Sequence, residues 1–236
     1  MSKQSIPTWL KRNNGFSGPY EKIVEAALHH AQNGEHPHIA FEGTTLEMVT
    51  AIYIEHTKKA GALDGLYLTW RHVADKMAAS LKLQPKDVLL IPGFGLGALY
   101  DAARRIQPEM CIVSVECQNW LVQIAEAVGI KLIKGDFLGG VSLPLKVNKV
   151  LCNPPMGRLW GYNKVEADFL AAIARHTQPG DLVAILLPGE PGYWWEKLPN
   201  AHKPLNDLFE IQEEELVANP AAPKSITCTR YLLERV

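Results

Sequence analysis

The chain has 236 residues, of which 47% are hydrophobic and 21% are charged. This length suits one good-sized α/β domain, with or without a small appendage, and the ordinary apolar fraction excludes disorder over most of the chain. The net charge is −1, so the chain lacks the excess of basic residues that is usual in proteins that bind nucleic acid without a partner. No apolar run reaches the roughly 18 residues that a membrane-spanning helix needs.

Residues 1–64 are predicted to form a helical N-terminal extension. Apolar residues at helical spacing predict one helix from about Tyr20 to Gln32 and a second that ends near Gly61. Six of the eight histidines fall within the first eighty residues. Their spacing fits no familiar zinc pattern, so no metal site is expected.

From Lys86 onward, strands and helices alternate. The predicted strands are 87–93, 111–116, 130–136, 147–155 and 181–188, the helices are 71–83, 98–106, 119–128 and 165–177, and a hairpin spans 208–236 with its turn around 219–223. Runs such as VLLI and LVAILL suit strands that are buried on both faces of a parallel sheet. The alternation predicts a doubly wound α/β fold that binds its ligand at the carboxyl ends of the strands.

A glycine-rich turn, residues 93–97, follows the first of these strands, and a carboxylate ends each of the next two. The glycines let the backbone turn tightly and let a ligand approach the main chain. Glu116 can accept hydrogen bonds from both hydroxyls of a ribose, and Asp136 can accept one from an adenine amino group. Together the three strand ends indicate a ligand that contains adenosine.

The glycine turn fits two cofactors. Gly93-x-Gly95-x-x-Ala98 satisfies the dinucleotide fingerprint, with Glu116 as the acid that binds the ribose. Gly93-x-Gly95-x-Gly97 suits S-adenosylmethionine equally well. The turn therefore leaves a nicotinamide oxidoreductase and a methyltransferase both open.

The fourth strand ends at Asn153-Pro154-Pro155-Met156, which separates these two possibilities. Prolines remove backbone donors and fix the chain, so the Asn153 side-chain oxygen and the Pro154 carbonyl can both accept hydrogen bonds from one amino group. Two acceptors favour a more tetrahedral nitrogen, whose lone pair can attack a sulfonium methyl group without a strong base. The pattern predicts methyl transfer to an amino nitrogen.

With these motifs, the region from about Gly65 to Val236 resembles the amino-methylating branch of the S-adenosylmethionine-dependent methyltransferases. More narrowly, it is similar to adenine-specific DNA methyltransferases of the gamma motif order, which include modification subunits of restriction systems. The segment Leu68–Met77 resembles the family motif that lies upstream of the glycine turn and helps hold the cofactor. The resemblance implies a Rossmann-like class I fold for residues 65–236, with seven strands, mostly parallel, of which the last is antiparallel.

The resemblance also implies the cofactor, the acceptor and the site. The cofactor is S-adenosylmethionine and the expected acceptor is adenine in DNA, with target recognition by the N-terminal helices or by a partner subunit. Adenine in RNA and a protein glutamine amide are alternative acceptors. The residues expected to hold the cofactor are Thr69, Pro92, Gly93, Phe94, Gly95, Gly97, Glu116, Asp136 and Phe137. Those expected at the catalytic site are Asn153, Pro154, Pro155 and Met156.

Three residues depart from the family pattern. Ile91 stands where the family has an acidic residue that helps hold the methionine part of the cofactor, and Trp70 replaces a proline. Met156 stands where an aromatic ring stacks on the flipped base. Ile91 and Met156 support an alternative class, a non-catalytic binding or assembly protein with a methyltransferase fold.

Two further patterns carry less information. Tyr193, Trp194 and Trp195 follow the fifth strand and would either pack beneath the C-terminal hairpin or stack on a base or a peptide. The four cysteines form no Cys-x-x-Cys pair and are expected to be reduced thiols of a cytoplasmic protein.

Overall fold

Seven strands and four helices make up the part of the chain that the computed structural model describes, residues 69–155, 165–193, 207–217 and 227–236. The helices are α1 (Arg71–Ser80), α2 (Ala98–Ile106), α3 (Asn119–Ala127) and α4 (Val165–His176). The strands are β1 (Val88–Pro92), β2 (Cys111–Glu116), β3 (Ile133–Lys134), β4 (Lys149–Cys152), β5 (Leu182–Pro188), β6 (Phe209–Val217) and β7 (Cys228–Arg235).

The strands form one sheet in the order β3-β2-β1-β4-β5-β7-β6. Neighbours from β3 to β5 are parallel, and β7 runs antiparallel to both β5 and β6. The predicted Rossmann-like fold, with a mostly parallel seven-stranded sheet and an antiparallel last strand, is confirmed. The order of the parallel strands reverses between β1 and β4, and folds of this kind bind ligands in the crevice at such a point.

Both faces of the sheet are buried, because successive side chains of a strand point to opposite faces. Leu89 and Ile91 of β1 pack with α1 and α2, whereas Leu90 between them packs with α4. Strand β5 alternates in the same way, with Ala184 on the first face and Ile185 on the second. The continuous apolar runs in the sequence therefore reflect burial on two sides.

Helix α1 packs on the sheet through Val73, Ala74, Met77 and Ala78, which are fully buried. The sequence predicts a helix that continues to residue 83, but α1 ends at Ser80. The backbone turns there because Lys82 adopts a φ of 50°, a left-handed conformation that no α-helix can contain.

Two other boundaries differ from the prediction. The third strand, predicted for 130–136, is reduced to Ile133–Lys134 at the edge of the sheet, where Gly135 N–H donates to the Glu116 carbonyl at 2.9 Å and begins a turn. The C-terminal strands pair as predicted, with an irregularity in the register between Ile211 and Glu213. The helices predicted in residues 1–64 and the hairpin turn at 219–223 lie outside the described residues.

Candidate functional site

The glycine turn leads directly from β1 towards α2 and is held by β2. The N–H groups of Gly93 and Phe94 both donate to the Val115 carbonyl at 2.9 Å. Gly93 has a φ of 88° and Gly95 a φ of 59°, conformations that L side chains rarely adopt. A Cβ atom built on Gly93 would meet no atom within 4 Å, so open space lies beside the backbone at this position.

Glu116 at the end of β2 is fixed by two backbone donors. Its Oε2 accepts a hydrogen bond from Gly95 N–H and its Oε1 accepts one from Gln118 N–H, both at 2.9 Å. Desolvation raises the pKa of the Glu116 carboxyl, and hydrogen bonds from Gln118, Gly95 and Cys117 partly oppose the rise.

The turn after β3 carries Asp136 and Phe137. Asp136 Oδ1 accepts a hydrogen bond from Leu138 N–H at 3.0 Å, which fixes the carboxylate within the turn. The Phe137 ring is buried, with its centroid 5.7 Å from that of Phe169 and 5.5 Å from that of His176, both on α4. Asp136 is therefore both a turn residue and a polar group of the site.

At the end of β4, the side chain of Asn153 is held by a residue far away in the sequence. Asn153 Nδ2 donates to the Thr69 hydroxyl oxygen at 2.8 Å across 84 residues. Thr69 lies two residues before the start of α1, so the packing of α1 on the sheet determines where its hydroxyl lies. Since Nδ2 is the donor end of the amide, the acceptor end, Oδ1, is turned away from Thr69.

One crevice brings these strand ends together. It contains about 900 Å³ of empty space, its open mouth included. Ten of the residues selected from the sequence line it, namely Thr69, Gly93, Phe94, Gly95, Glu116, Asp136, Phe137, Asn153, Pro154 and Pro155. Ten of the thirteen cofactor and catalytic residues expected from the sequence thus share one cavity.

Three of the expected site residues are not placed in this cavity. Pro92 and Gly97 do not line it: the Pro92 carbonyl accepts a weak hydrogen bond from the Cys152 thiol at 3.8 Å, and Gly97 begins α2. Met156 lies outside the described residues. Ile91 is fully buried among residues of α1 and α2 and does not line the cavity either.

The cavity is also lined by Ala98 of the dinucleotide fingerprint and by Gly135 before Asp136. Its lining residues that sequence reasoning missed are Leu96, Leu99, Val115, Cys117, Gln118, Leu121 and Phe169. Cys117 and Gln118 directly follow Glu116, and this position next to a strand-end carboxylate was a usable signal. Phe169 and Leu121 reach the cavity from helices, and no local pattern distinguishes them from core residues.

Cys117 is a thiol beside two carboxylates. Desolvation, followed by the charges of Glu116 and Asp136, raises its pKa, although part of the side chain is exposed. The thiolate is the nucleophilic form of cysteine, so this side chain stays a neutral thiol at physiological pH.

Solved structures share this architecture. A Listeria monocytogenes protein described as a class I S-adenosylmethionine-dependent methyltransferase superposes with a TM-score of 0.69 at 12% identity, over 97% of this chain and 84% of that chain. The chain has the class I methyltransferase fold. The M protein of the type I restriction enzyme EcoKI shares this methyltransferase fold with a TM-score of 0.59 at 16% identity, over 92% of this chain but 54% of the M protein. TrmN from Thermus thermophilus gives a TM-score of 0.56 at 16% identity, over 92% of this chain and 79% of TrmN.

No protein-family model and no curated protein sequence matches the chain. In the described ranges of this methyltransferase fold, no helix is long and apolar enough to cross a membrane. Within the same ranges, no three histidine, cysteine, aspartate or glutamate side chains come together as metal ligands would.

Proposed function

We propose that the protein transfers a methyl group from S-adenosylmethionine to an exocyclic amino nitrogen, with adenine in DNA as the acceptor. The observation that carries the proposal is the orientation of Asn153, whose Nδ2 is engaged by Thr69 at 2.8 Å. This leaves Oδ1 as the end that can accept a hydrogen bond from an amino group. The adjacent Pro154 has no N–H and contributes a carbonyl acceptor.

The residues present fit S-adenosylmethionine. The Glu116 carboxylate lines the cavity where ribose hydroxyls would find an acceptor, and Asp136 lies at the next strand end, where an adenine amino group would find one. Open space beside the positive-φ Gly93 lets a ligand approach the main chain. When bound, this cofactor supplies a methyl group on a positively charged sulfur atom.

The protein's own residues would act on the acceptor nitrogen. An amino group attached to an aromatic ring is a weak nucleophile because its lone pair is delocalised. Hydrogen bonds from both of its protons to Asn153 Oδ1 and the Pro154 carbonyl favour a tetrahedral nitrogen and concentrate the lone pair. Oδ1 is buried, so an incoming amino group must displace neighbouring side chains to reach it. Catalysis would then consist of positioning and electrostatics.

The choice of DNA rests on two supports. The sequence from about Gly65 to Val236 resembles adenine-specific DNA methyltransferases, and the M protein of a type I restriction enzyme is among the structures with this fold. The net charge of −1 provides little attraction to phosphates, so we propose that residues 1–64 or a partner subunit select the target. An adenine in a duplex would also have to flip out of the stack.

A second candidate is a binding or assembly protein that keeps the fold without catalysis. Ile91 favours it, because this fully buried apolar side chain contributes no charge to the cavity where the related enzymes have an acidic residue. RNA adenine and protein glutamine remain alternative acceptors for the catalytic proposal.

The test uses S-adenosylmethionine with a labelled methyl group, incubated with the full chain and with duplex DNA, RNA or cellular protein. Asn153→Ala is expected to lower label transfer by about 100-fold, the size seen when one electrostatic partner of a reacting group is removed. Calorimetry is expected to show unchanged cofactor binding. Asn119→Ala is the matched control, because Asn119 pairs with Lys134 on the surface and does not line the cavity.

Each result has a distinct meaning. Equal transfer by the wild type and Asn153→Ala overturns the role of Asn153. A folded protein that binds no S-adenosylmethionine supports the assembly protein, and tight binding of a nicotinamide dinucleotide supports an oxidoreductase. If label appears only in RNA or protein, the proposed methyl-transfer chemistry stands, but the acceptor is that molecule and not DNA.

A further inference from the structure

We infer that Thr69 is a positioning residue that holds the amide of Asn153 so that its oxygen, and not its nitrogen, is the end directed at the acceptor. The family resemblance of the sequence implies that Thr69 helps bind the cofactor, but in the structure its hydroxyl oxygen lies 2.8 Å from Asn153 Nδ2. Both residues line the same cavity. The inference rests on the proposed function, because it concerns which end of Asn153 meets the target.

The direction of this hydrogen bond matters for the chemistry. An amide nitrogen has no lone pair to offer, so in this arrangement Nδ2 donates and the threonine oxygen accepts. A hydroxyl can pair with either end of an amide, but only the observed orientation suits an amino group. The opposite orientation would place the N–H groups of Asn153 against those of the target.

Without the hydroxyl, the orientation of Asn153 would be set by fewer contacts. The terminal torsion of asparagine has a broad energy profile, so side-chain partners decide its angle. Loss of the Thr69 oxygen would also leave a partly buried N–H group without this acceptor. Asn153 would then spend part of its time turned away from the geometry that an amino group needs.

Thr69 itself is well placed to act as a fixed acceptor. It immediately precedes Trp70, the N-cap residue of α1. The Trp70 carbonyl accepts hydrogen bonds from Val73 N–H at 3.0 Å and Ala74 N–H at 2.9 Å. Buried α1 side chains then hold this end of the helix against the sheet. The hydroxyl is thereby attached to the scaffold through α1.

The experiment measures the hydrogen bond directly by nuclear magnetic resonance. The side-chain NH₂ signals of Asn153 are assigned by their absence in Asn153→Ala. Thr69→Val, which keeps the branched shape but removes the oxygen, is expected to shift these signals and speed their exchange with water. Thr69→Ser, which keeps the hydroxyl, is expected to leave them close to their wild-type positions. Unchanged signals in Thr69→Val overturn the inference.

Kinetics then separate positioning from cofactor binding. With the acceptor that takes up label in the wild type, Thr69→Val is expected to lower kcat about tenfold, the size of one net hydrogen bond, and Thr69→Ser to restore it. The dissociation constant for S-adenosylmethionine is expected to stay the same in both variants. In the Asn153→Ala background, Thr69→Val should cause no further loss, because the two residues act as one unit.

Failure of the inference and failure of the proposed function give different results. A loss of cofactor affinity in Thr69→Val with unchanged kcat returns Thr69 to cofactor binding and overturns the positioning role. If the wild type transfers no methyl group, the proposed function fails, and the positioning role fails with it. The resonance measurement still reports whether Asn153 and Thr69 are bonded.

Discussion

The two halves of the cavity are held in different ways. On the side of β1 and β2, backbone donors fix the site: Gly95 N–H and Gln118 N–H bind the Glu116 carboxylate. On the side of β4, a hydrogen bond from the Asn153 side chain to that of Thr69, 84 residues away, orients the amide. The first half follows from the geometry of neighbouring strands, whereas the second depends on a helix packing in the right place. We therefore expect the acceptor side to be the more easily disturbed by distant changes.

The largest expected effect comes from the helix that carries Thr69. Met77 is fully buried between α1 and the sheet, and Met77→Ala is expected to lower the free energy of unfolding by about 2–5 kcal/mol. Looser packing of α1 should also reduce methyl transfer more than cofactor binding. Urea unfolding measures the first effect, and transfer assays beside calorimetry measure the second.

The neighbouring Lys76 supplies the control. Its ammonium group pairs with Glu215 at 2.6 Å on the surface, and Lys76→Ala is expected to change stability by less than about 1 kcal/mol. Equal losses of cofactor binding and methyl transfer in Met77→Ala would mean that the two halves of the cavity are not separable through α1.

The same contrast explains what the sequence could predict. Gly93, Glu116, Asp136 and Asn153 each sit at or near the end of a predicted strand, and parallel strands bring their carboxyl ends to one edge of the sheet. Local pattern and the parallel direction of the strands were therefore enough to predict that they lie together. The antiparallel last strand followed from the resemblance to a family, whereas the order of the strands is a finding of the structure.

Contacts that depend on how helices pack could not be predicted in this way. Thr69 lines the expected cavity but binds Asn153, because the position of α1 brings a hydroxyl to the end of β4. Phe169 lies under the cavity through the packing of α4, and its spacing in the sequence is that of any core residue. Pro92 and Gly97 belong to the motif and shape the turn, yet neither lines the cavity.

A smaller effect tests the half that backbone contacts hold. Gly93→Ala is expected to lower the free energy of unfolding by about 1–2 kcal/mol, because alanine is strained at a φ of 88°. Its Cβ would also project into the open space beside the turn, where the cofactor would lie. We therefore expect a weaker affinity for S-adenosylmethionine by calorimetry, with kcat retained at saturating cofactor.

The Gly180→Ala variant separates the effect of backbone strain from the effect of a Cβ atom that fills space in the cavity. Gly180 has a φ of 90° and open space around its Cβ position, but it precedes β5 and does not line the cavity. The Gly180→Ala variant should lose as much stability as the Gly93→Ala variant but should bind S-adenosylmethionine as tightly as the wild type does. Similar affinity losses in both variants would show that backbone strain alone weakens binding.

The smallest effect concerns pH and Glu116. Burial raises the pKa of this carboxyl in the folded protein, so the folded state holds its proton at pH values where the unfolded chain has released it. Stability of the unliganded protein should therefore fall as pH rises above the ordinary glutamate range, by less than about 1.4 kcal/mol per pH unit, the limit for one proton. Glu116→Gln should remove this part of the slope in urea unfolding between pH 4 and 8. Glu210→Gln, which replaces an exposed carboxylate of β6, should retain it. Equal slopes of stability against pH in the two variants would mean that hydrogen bonds from Gly95 N–H and Gln118 N–H stabilise the charged Glu116 carboxylate in the folded state as well as water does in the unfolded chain.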